Sequence, residues 1–308
     1  MTPAWQSRPS CPACGNFHRE IVADLPHDAP PLSTYLRTFY APTVHPTLAG
    51  LEGGRHVVAR CAGCGSHYQV LVPGEEWLGA FYGALPAMDR ERQPTFVFAQ
   101  RSRELVMLVE WCESRGAPLR ALDFGAGRGD WARLAAAAGL EVTVMDVATA
   151  AFPSLRAAGI HCELPFGGPA DRFGLIHAEQ VLEHLPDPSG TVARLADLLA
   201  PGGILALGVP RDDGLDEKLR APDWLAPKHS PASLNAVAPL EHLNAFTPSG
   251  LELLGKRHGL ARVYPHGWSL LPETPSLRAG LRQFLRRRLR LEYREAMALT
   301  QTQFFTRP

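Results

Sequence analysis

The fold is decided by residues 119–130, which have the sequence LRALDFGAGRGD. The apolar run Leu119–Phe124 is typical of a buried strand, a glycine-rich turn follows it, and a helical pattern begins at Asp130. Glycines in such a turn let the backbone bend tightly and let a ligand come close to it. The sequence therefore predicts a strand–turn–helix unit of an α/β sheet with a ligand at the turn.

The spacing of the glycines indicates which kind of ligand this turn suits. Gly125, Gly127 and Gly129 form G-x-G-x-G, whereas a dinucleotide fold has G-x-G-x-x-G and a pyrophosphate at the helix N-terminus. Asp123 precedes the first glycine by two residues, and its negative charge suits a ligand that carries positive charge. Asp146 ends the next predicted strand, where a carboxylate can accept hydrogen bonds from ribose hydroxyls. A nicotinamide dehydrogenase is therefore disfavoured.

Strand and helix patterns alternate on both sides of this turn. Such alternation predicts an α/β fold, in which a parallel sheet is covered by helices on both faces. The predicted strands are 119–124, 141–146, 160–163, 173–178, 203–209 and 260–264, and the predicted helices are 95–115, 130–138, 149–158, 191–199 and 248–259.

The order of these pieces resembles the class I S-adenosylmethionine-dependent methyltransferases. Leu122–Gly129 is similar to the first motif of that family, Val144–Asp146 to the second, Phe173–Pro188 to the fourth strand and its loop, and Leu199–Leu205 to the approach to the fifth strand. The resemblance implies a Rossmann-like seven-stranded sheet with helices on both faces, S-adenosylmethionine as cofactor, and a reversed last strand, for which residues 301–306 are the candidate. Residues 239–248 resemble a segment that is common in members with small-molecule acceptors.

The resemblance also implies roles for individual residues. Asp123, Gly125 and Gly127 would surround the amino acid part of the cofactor, and Gly129 would let the helix start close to it. Asp146 would hold the ribose. The family's usual acidic residue after the third strand is absent here, which leaves Glu163 or the backbone of residues 164–166 for the adenine. Glu179 and Gln180 would lie near the reactive methyl group.

Methyl transfer from a sulfonium is an in-line displacement, in which alignment of donor and acceptor supplies roughly 7–11 kcal/mol. A general base adds roughly 10²–10⁴-fold where the acceptor must lose a proton. Glu183 and His184 are the first candidates, because a histidine titrates near neutral pH and a carboxylate can orient it. His242 is the second candidate. The alternative is that Val181–Leu185 is a structural segment shared by methyltransferases with different acceptors.

Two Cys-x-x-Cys-Gly motifs predict a metal site near the N-terminus. Cys11 and Cys14 form the first pair, Cys61 and Cys64 form the second, and 46 residues separate the pairs. Two such knuckles supply four thiolates for one tetrahedral zinc ion, which is a closed and structural kind of site. A redox pair is the alternative, but it is expected within a thioredoxin-like βαβ context. The arrangement resembles some small-molecule methyltransferases, including sugar C-methyltransferases, with a similar N-terminal knuckle pair.

Composition and patterning set the expected organisation of the chain. We expect a zinc-binding module over residues 1–94 and a methyltransferase domain over residues 95–308, with a lid insertion at 210–246 and a basic amphipathic helix at 277–299. Neither a signal peptide nor an apolar run long enough for a membrane span is visible, which predicts a cytoplasmic protein with reduced cysteines.

Two other functions remain open at the level of sequence. An RNA methyltransferase would use the zinc module and the arginines of the basic helix to bind its substrate. The balance of 31 basic and 31 acidic residues disfavours a nucleic-acid partner, because dedicated binders usually carry a basic excess. The other alternative is a non-enzymatic binding protein that retains the cofactor fold. The oligomeric state and the acceptor cannot be deduced from the sequence.

Overall fold

The computed structural model describes residues 3–40, 51, 53–84, 95–166, 172–211, 214–227, 230–265 and 300–308. The chain forms two compact units, each assembled from separate stretches of sequence. The first unit comprises Met1–Asp89, Gln180–Ala193 and Val209–Arg257, and the second comprises Arg90–Glu179, Arg194–Gly208 and His258–Pro308. The predicted basic helix at 277–299 lies outside the described residues. No helix in the described ranges is long and apolar enough to cross a membrane.

The elements follow the chain in this order. The strands are β1 (Trp5–Ser7), β2 (Arg19–Pro26), β3 (Arg55–Cys61), β4 (His67–Gln69), β5 (Leu71–Pro73), β6 (Arg120–Phe124), β7 (Glu141–Met145), β8 (His161–Glu163), β9 (Phe173–Glu179), β10 (Leu199–Pro210), β11 (Asn244–Ala245), β12 (Ala261–Val263) and β13 (Thr300–Thr306). The α-helices are α1 (Leu32–Tyr40), α2 (Glu75–Ala84), α3 (Thr95–Ser114), α4 (Asp130–Ala137), α5 (Phe152–Arg156), α6 (Pro188–Leu198), α7 (Leu215–Arg220) and α8 (Pro248–Arg257).

The second unit contains a seven-stranded sheet in the order β12-β13-β10-β9-β6-β7-β8. Strand β6 pairs in parallel with both β7 and β9, and the pairs β7–β8 and β9–β10 are also parallel. This arrangement confirms the predicted α/β fold. The predicted last strand is present as β13, which pairs antiparallel with β12. It lies inside the sheet, between β12 and β10.

The central strands are fixed by apolar side chains on both faces. Leu122 of β6, Val144 of β7 and Leu175 of β9 are at most 1% exposed. Leu105 and Leu108 of α3 belong to the same buried cluster as Val144 and Leu175. Each fully buried side chain of this size contributes roughly 1.5–3 kcal/mol. The strands are therefore held rigidly, and the groups at their carboxyl ends are held with them.

The first unit contains an antiparallel sheet in the order β11-β4-β3-β2 and the small pair β1–β5. Residues 210–246, predicted as a lid insertion, contribute to its core. Trp224 and Val237 pack in one buried cluster with Leu32 and Val58, and Leu240 packs in another with Trp77 and Phe81. The lid role of residues 210–246 and the domain boundary at residue 94 stay predictions.

Two buried histidines in the first unit predict a loss of stability in acid. His27 stacks on Trp5, with ring centroids 5.2 Å apart, and His56 meets the ring of Trp224 at 5.2 Å. Burial lowers the pKa of His27 to about 4 and that of His56 to about 3. The unfolded chain titrates near pH 6.5 and therefore binds more protons below that pH. The folded state loses stability as the pH falls from about 6.5 to about 3, by about 1.4 kcal/mol per pKa unit.

We expect the acid-induced loss of stability to be smaller in His56→Phe, because phenylalanine keeps a buried ring but cannot take up a proton. Urea unfolding followed by tryptophan fluorescence at pH 7 and pH 5 measures the free energy of unfolding of both proteins. The wild type should lose about 2 kcal/mol more than the variant over this interval. Equal losses in the two proteins would show that His56 does not carry the pH dependence.

Candidate functional site

Three acidic groups meet at one edge of the sheet in the second unit. Strand β6 lies between β7 and β9, and all three run parallel, so their carboxyl ends lie at the same edge. Asp123 lies near the end of β6, Asp146 follows β7, and Glu179 ends β9. Ligands of open α/β sheets bind outside these carboxyl ends. The topology therefore brings the residues predicted to hold the cofactor to one place.

The glycine turn after β6 has a backbone that favours glycine. Gly125, Gly127 and Gly129 have φ values of 74°, 55° and 75°. A Cβ atom at Gly129 would clash with the side chain of Leu155, whereas one at Gly127 would meet no atom of the described residues within 4 Å. Gly129 thus allows α4 to pack closely on α5. Gly127 borders open space that a bound molecule can occupy.

Asp146, which follows β7, is hydrogen-bonded to the glycine turn. Its Oδ2 accepts a hydrogen bond of 2.7 Å from the backbone N–H of Gly127, and its Oδ1 accepts one of 2.7 Å from Ala148. Burial raises the pKa of Asp146, and these two backbone donors partly oppose the rise. The carboxylate therefore positions the turn, and each of its oxygens retains a second lone pair for a ligand.

Asp123 presents a buried oxygen that no described residue satisfies. The side chain is almost fully buried, and its Oδ1 lies 3.0 Å from Nδ1 of His177. Its Oδ2 is buried and has no hydrogen-bond partner within the described ranges. Leaving a buried acceptor without a donor costs roughly 1–3 kcal/mol, and more for a charged group. A ligand with a positively charged N–H donor fits this atom.

His177 is a member of the site that the sequence analysis did not identify. Its ring stacks on Trp131, with centroids 4.3 Å apart and planes 2° from parallel. Its Nε2 lies 3.8 Å from Oε2 of Glu179, which in turn accepts a hydrogen bond of 2.6 Å from Arg101. The signal was available in the strand pattern, because His177 and Glu179 alternate with apolar residues and so share one face of β9.

The charges around His177 determine its protonation. Burial lowers the pKa of His177, but the hydrogen bond and the negative charge of Asp123, with Glu179 and Glu104, outweigh burial and raise it overall. Burial raises the pKa of Glu104 to about 7, although the charge of His177 opposes the rise. With a proton on Nδ1, His177 donates to Asp123 Oδ1 and leaves Oδ2 as the acceptor for a ligand.

Apolar side chains follow the ends of β7 and β8. Val147 is 68% exposed directly after Asp146, and Leu164 is 57% exposed directly after Glu163. The Glu163 carboxylate lies 3.7 Å from His161. Exposed aliphatic groups beside a carboxylate are suited to a flat ring that carries a hydrogen-bond donor. Of these residues, only Glu163 is predicted from the sequence.

Gln180 and the acceptor-side candidates belong to the first unit. Gln180 has a left-handed φ of 57°, and its Nε2 is buried without a hydrogen-bond partner in the described part of the chain. Glu183, His184 and His242 come together, with a ligand atom of each within 4.8 Å of the others. The rings of His184 and His242 are 4.8 Å apart. The two histidines, predicted as separate candidates, therefore form one cluster.

Backbone contacts hold this cluster in place. Glu183 and His184 lie on a 3₁₀ turn, Leu182–His184, and the backbone oxygen of Glu183 accepts a hydrogen bond of 2.7 Å from Leu243. The Asn244 side chain donates to the backbone oxygen of Leu182 at 2.8 Å. Tyr82, which sequence analysis did not name for this site, places its hydroxyl 3.3 Å from His184 Nδ1. The segment of residues 239–248 therefore places His242 close to the 3₁₀ turn.

The four paired cysteines converge in the first unit. Cys11 Sγ lies 3.7 Å from Cys64 Sγ, and Cys14 Sγ lies 3.4 Å from Cys61 Sγ. All four sulfur atoms lie within 4.8 Å of one another, so that the group could hold a metal ion. In the knuckle glycines, Gly15 and Gly65, φ is 79° and 75°. The two motifs therefore turn in the same way and face each other.

More than half of the chain matches a known family, and shorter stretches match curated relatives. The sequence profile of a family described as "Methyltransferase domain" matches residues 90–264. The chain is 37% identical over 98 residues to Methyltransferase str2 of Strobilurus tenacellus, covering 30% of this chain and 36% of that protein. It is 33% identical over 108 residues to a ubiquinone biosynthesis O-methyltransferase of Aromatoleum aromaticum, covering 31% and 46%. These alignments span less than half of each relative.

A third relative and two solved structures complete the comparison. The trans-aconitate 2-methyltransferase of Methylobacterium radiotolerans is 38% identical over 101 residues, covering 30% of this chain and 39% of that protein. An S-adenosylmethionine-dependent methyltransferase structure from Mesorhizobium loti gives a TM-score of 0.42 at 20% identity, covering 61% of this chain and 90% of that one. The N-methyltransferase NodS of Bradyrhizobium japonicum gives 0.41 at 16%, covering 76% and 96%.

Proposed function

The chain belongs to the methyltransferase domain family, and we propose that it transfers the methyl group of S-adenosylmethionine to a small-molecule acceptor in biosynthesis. The observation that carries the proposal is the buried Oδ2 of Asp123, which has no donor within the described ranges and lies beside the glycine turn. The names of two relatives, a ubiquinone biosynthesis O-methyltransferase and a trans-aconitate 2-methyltransferase, support small molecules as the acceptor class.

The residues at the sheet edge fit the parts of this cofactor. Asp123 would accept a hydrogen bond from the ammonium group, and the open space at Gly127 would admit the methionine part. Asp146 would use its remaining lone pairs for the ribose hydroxyls. Val147 and Leu164 would pack on the adenine ring, while Glu163 accepts from its amino group. Bound S-adenosylmethionine supplies an activated methyl group on a sulfonium centre.

On the acceptor side, the chain must align a nucleophile and remove its proton. His184 Nδ1 lies 2.8 Å from the backbone oxygen of Glu241, which can only accept, so Nδ1 donates and Nε2 carries the lone pair. That tautomer can take a proton at Nε2. The roles of His184 as general base, of Glu183 as its orienting carboxylate and of His242 as the second candidate stay predictions.

We also propose a structural zinc ion at the four cysteines. A tetrahedral ion with Zn–S distances of about 2.3 Å places its sulfur atoms about 3.8 Å apart. The Sγ–Sγ separations of 3.7 Å and 3.4 Å are close to that value. Four thiolates complete the shell and leave no open position, so the ion would stabilise the first unit and take no part in methyl transfer. The predicted cytoplasmic location, with reduced cysteines, suits this site.

The RNA methyltransferase alternative depends on the predicted basic helix at 277–299, which lies outside the described residues. No described contact therefore favours it over a small-molecule acceptor. No described contact favours the non-enzymatic alternative either, which is a protein that binds S-adenosylmethionine without transferring its methyl group.

An acceptor screen tests the proposed activity. The zinc-loaded chain is incubated with S-adenosylmethionine carrying a labelled methyl group and with pools of hydroxylated small molecules, carboxylic acids, amines and RNA. We expect label in a small-molecule pool and S-adenosylhomocysteine in equal amount. Label in RNA alone would establish the alternative acceptor, and S-adenosylmethionine bound without turnover in any pool would favour the binding protein.

A further inference from the structure

We propose that Arg8 is a positioning residue, which holds the turn that carries Glu183 and His184 against the segment that carries His242. All four residues belong to the first unit. The Arg8 side chain is buried and contacts three parts of the chain that are far apart in sequence. The positioning itself rests on these contacts, whereas its importance for methyl transfer rests on the proposed function.

Every nitrogen of the Arg8 guanidinium group donates to a neutral oxygen. Its Nε donates to the backbone oxygen of Gln69 at 2.8 Å, and Nη2 donates to that of Leu243 at 2.7 Å. Its Nη1 donates to Oδ1 of Asn244 at 2.6 Å and to the backbone oxygen of Pro186 at 3.3 Å. The rigid planar fork of an arginine suits donation to several fixed acceptors at once. Arg8 therefore connects β4, the loop after the 3₁₀ turn and the start of β11.

Asn244 extends this contact to the 3₁₀ turn. Because an arginine can only donate, Arg8 fixes the Asn244 amide with Oδ1 toward the guanidinium group and leaves Nδ2 as the donor. That Nδ2 donates to the backbone oxygens of Leu182 and Leu185, each at 2.8 Å. These two residues directly precede and follow the two candidate residues of the turn. The turn is therefore held on both sides by one amide, whose orientation Arg8 determines.

Gln69 makes the corresponding connection to His242. Its backbone oxygen accepts from Arg8, and its Nε2 donates to the backbone oxygens of His242 at 3.0 Å and Ala238 at 3.1 Å. Gln69 is almost completely buried, so the loss of these bonds would leave polar groups unpaired away from water. One guanidinium group thus supports both parts of the cluster, in which the rings of His184 and His242 lie 4.8 Å apart.

The burial of a cation at this position indicates a positioning role. Burial lowers the pKa of Arg8 to about 9, so the group still carries its charge at neutral pH. Removing such a charge from water is costly. An apolar side chain of similar length would avoid that cost, but it could not donate to three segments at once. The arginine therefore determines how these segments are arranged.

A fixed turn matters for the role predicted for His184. Its Nδ1 donates to the backbone oxygen of Glu241 at 2.8 Å, which leaves the lone pair on Nε2. If the turn moved, the ring would lose this partner and its proton could pass to the other nitrogen. Misplacing a group near the chemistry by about 1 Å can lower the rate about 10²-fold. Arg8 would therefore affect turnover through His184.

Hydrogen exchange at the Leu243 N–H tests the positioning. This N–H donates to the backbone oxygen of Glu183 at 2.7 Å, and so joins the two segments that Arg8 is proposed to hold. Arg8→Met keeps the length of the side chain but has no donor. We expect exchange at Leu243 to accelerate at least about 10-fold more than exchange at the amides that pair β2 with β3. A general loss of stability in the first unit would accelerate both equally.

Two further variants test how the contact reaches the turn. Asn244→Asp still accepts from Arg8 but cannot donate to the backbone oxygens of the turn, so it should accelerate exchange at Leu243 in the same way. Arg55→Met is the matched control, because Arg55 is an exposed arginine of the first unit that pairs with Asp24 at 2.7 Å. We expect this control to stay within about 2-fold of the wild type, since exposed ion pairs contribute little.

Nitrogen-15 NMR of the histidine-labelled chain follows the effect on His184, whose signals are assigned by their loss in His184→Gln. The wild type should carry the ring proton of His184 on Nδ1. Arg8→Met should distribute it over both ring nitrogens. An unchanged Nδ1 proton in this variant would overturn the action of Arg8 on His184.

A readout on the wild type applies if the variants fail to fold. A guanidinium group held by three segments cannot rotate freely about its Nε–Cζ and Cζ–Nη bonds, so NMR should show separate Nη–H signals for Arg8. Averaged signals would overturn the proposal. The same conclusion follows if folded Arg8→Met leaves exchange at Leu243 unchanged, or accelerates it no more than exchange between β2 and β3.

Titration with S-adenosylhomocysteine separates this proposal from the proposed function. The residues proposed to hold that compound belong to the second unit, whereas Arg8 belongs to the first. We expect Arg8→Met to bind it within about 2-fold of the wild type, because the lost contacts are local. A wild type that does not bind S-adenosylhomocysteine would contradict the proposed function and leave the exchange result standing. Loss of binding in Arg8→Met alone would show that the effect is not confined to the turn, and would overturn the positioning role.

Discussion

Asp123→Ala is expected to lower the affinity of the chain for S-adenosylhomocysteine by about 10- to 100-fold. The product retains the ammonium group that Asp123 Oδ2 would accept, and a hydrogen bond to a charged group is worth roughly 1.5–3 kcal/mol. The variant also removes the partner of His177 Nδ1, which lies 3.0 Å from Asp123 Oδ1. Equilibrium dialysis with labelled S-adenosylhomocysteine measures the effect.

A matched aspartate is available as the control for this prediction. Asp130 begins α4 seven positions further along the chain, is largely exposed and pairs with Arg128 at 2.9 Å. Asp130→Ala removes the same charge from the same region without touching the buried oxygen. We expect its affinity to stay within about 2-fold of the wild type, because exposed ion pairs contribute little. If both variants lose the same affinity for S-adenosylhomocysteine, the overall negative charge of this region, and not the buried carboxylate of Asp123, determines binding.

Cys61→Ser is expected to abolish stoichiometric zinc binding and to destabilise the first unit by several kcal/mol. A hydroxyl is a poor substitute for a thiolate on zinc, and structural zinc contributes roughly 10–16 kcal/mol of binding energy to folding in small modules. Cys61 Sγ lies 3.4 Å from Cys14 Sγ, so its loss opens the four-sulfur shell. Elemental analysis for zinc and thermal unfolding by circular dichroism measure the two effects.

Cys162→Ser is the matched control, because Cys162 is equally buried but lies on β8 of the second unit. It should keep one zinc ion per chain. A wild type that contains no metal after purification with zinc present would refute the four-thiolate site. Retention of zinc in Cys61→Ser would show that another residue completes the shell.

The central sheet was largely predictable because its strands are continuous apolar runs. The pattern placed a strand at 173–178, and β9 occupies Phe173–Glu179. The pattern predicted that the next strand begins at Gly203, because Pro201 and Gly202 are typical of a turn. In the structure, β10 begins at Leu199. The strand accommodates them through a change of register between Leu199 and Ile204. Local patterns cannot show an irregularity that a neighbouring strand stabilises.

The residues of the candidate site that directly follow a strand could be predicted from the sequence. The contacts between residues from distant segments of the chain could not. Asp123, Asp146 and Glu179 follow from the order of the strands. The contact of His177 with Asp123 joins residues 54 positions apart, and a buried strand histidine gives no local sign of it. The meeting of His184 with His242 depends on the packing of residues 210–246 into the first unit. That packing arises from scattered side chains such as Trp224 and Leu240, which show no regular period.

Calorimetric titration of the full wild-type chain with S-adenosylhomocysteine tests the central claim most directly, because that claim requires a site for the methyl donor and its product. NAD⁺ serves as the comparison ligand, since the acidic Asp123 and the G-x-G-x-G turn oppose a pyrophosphate. We expect one molecule of S-adenosylhomocysteine per chain with a micromolar dissociation constant and no measurable heat with NAD⁺. Binding of NAD⁺, or the absence of S-adenosylhomocysteine binding at millimolar concentration, would contradict the assignment.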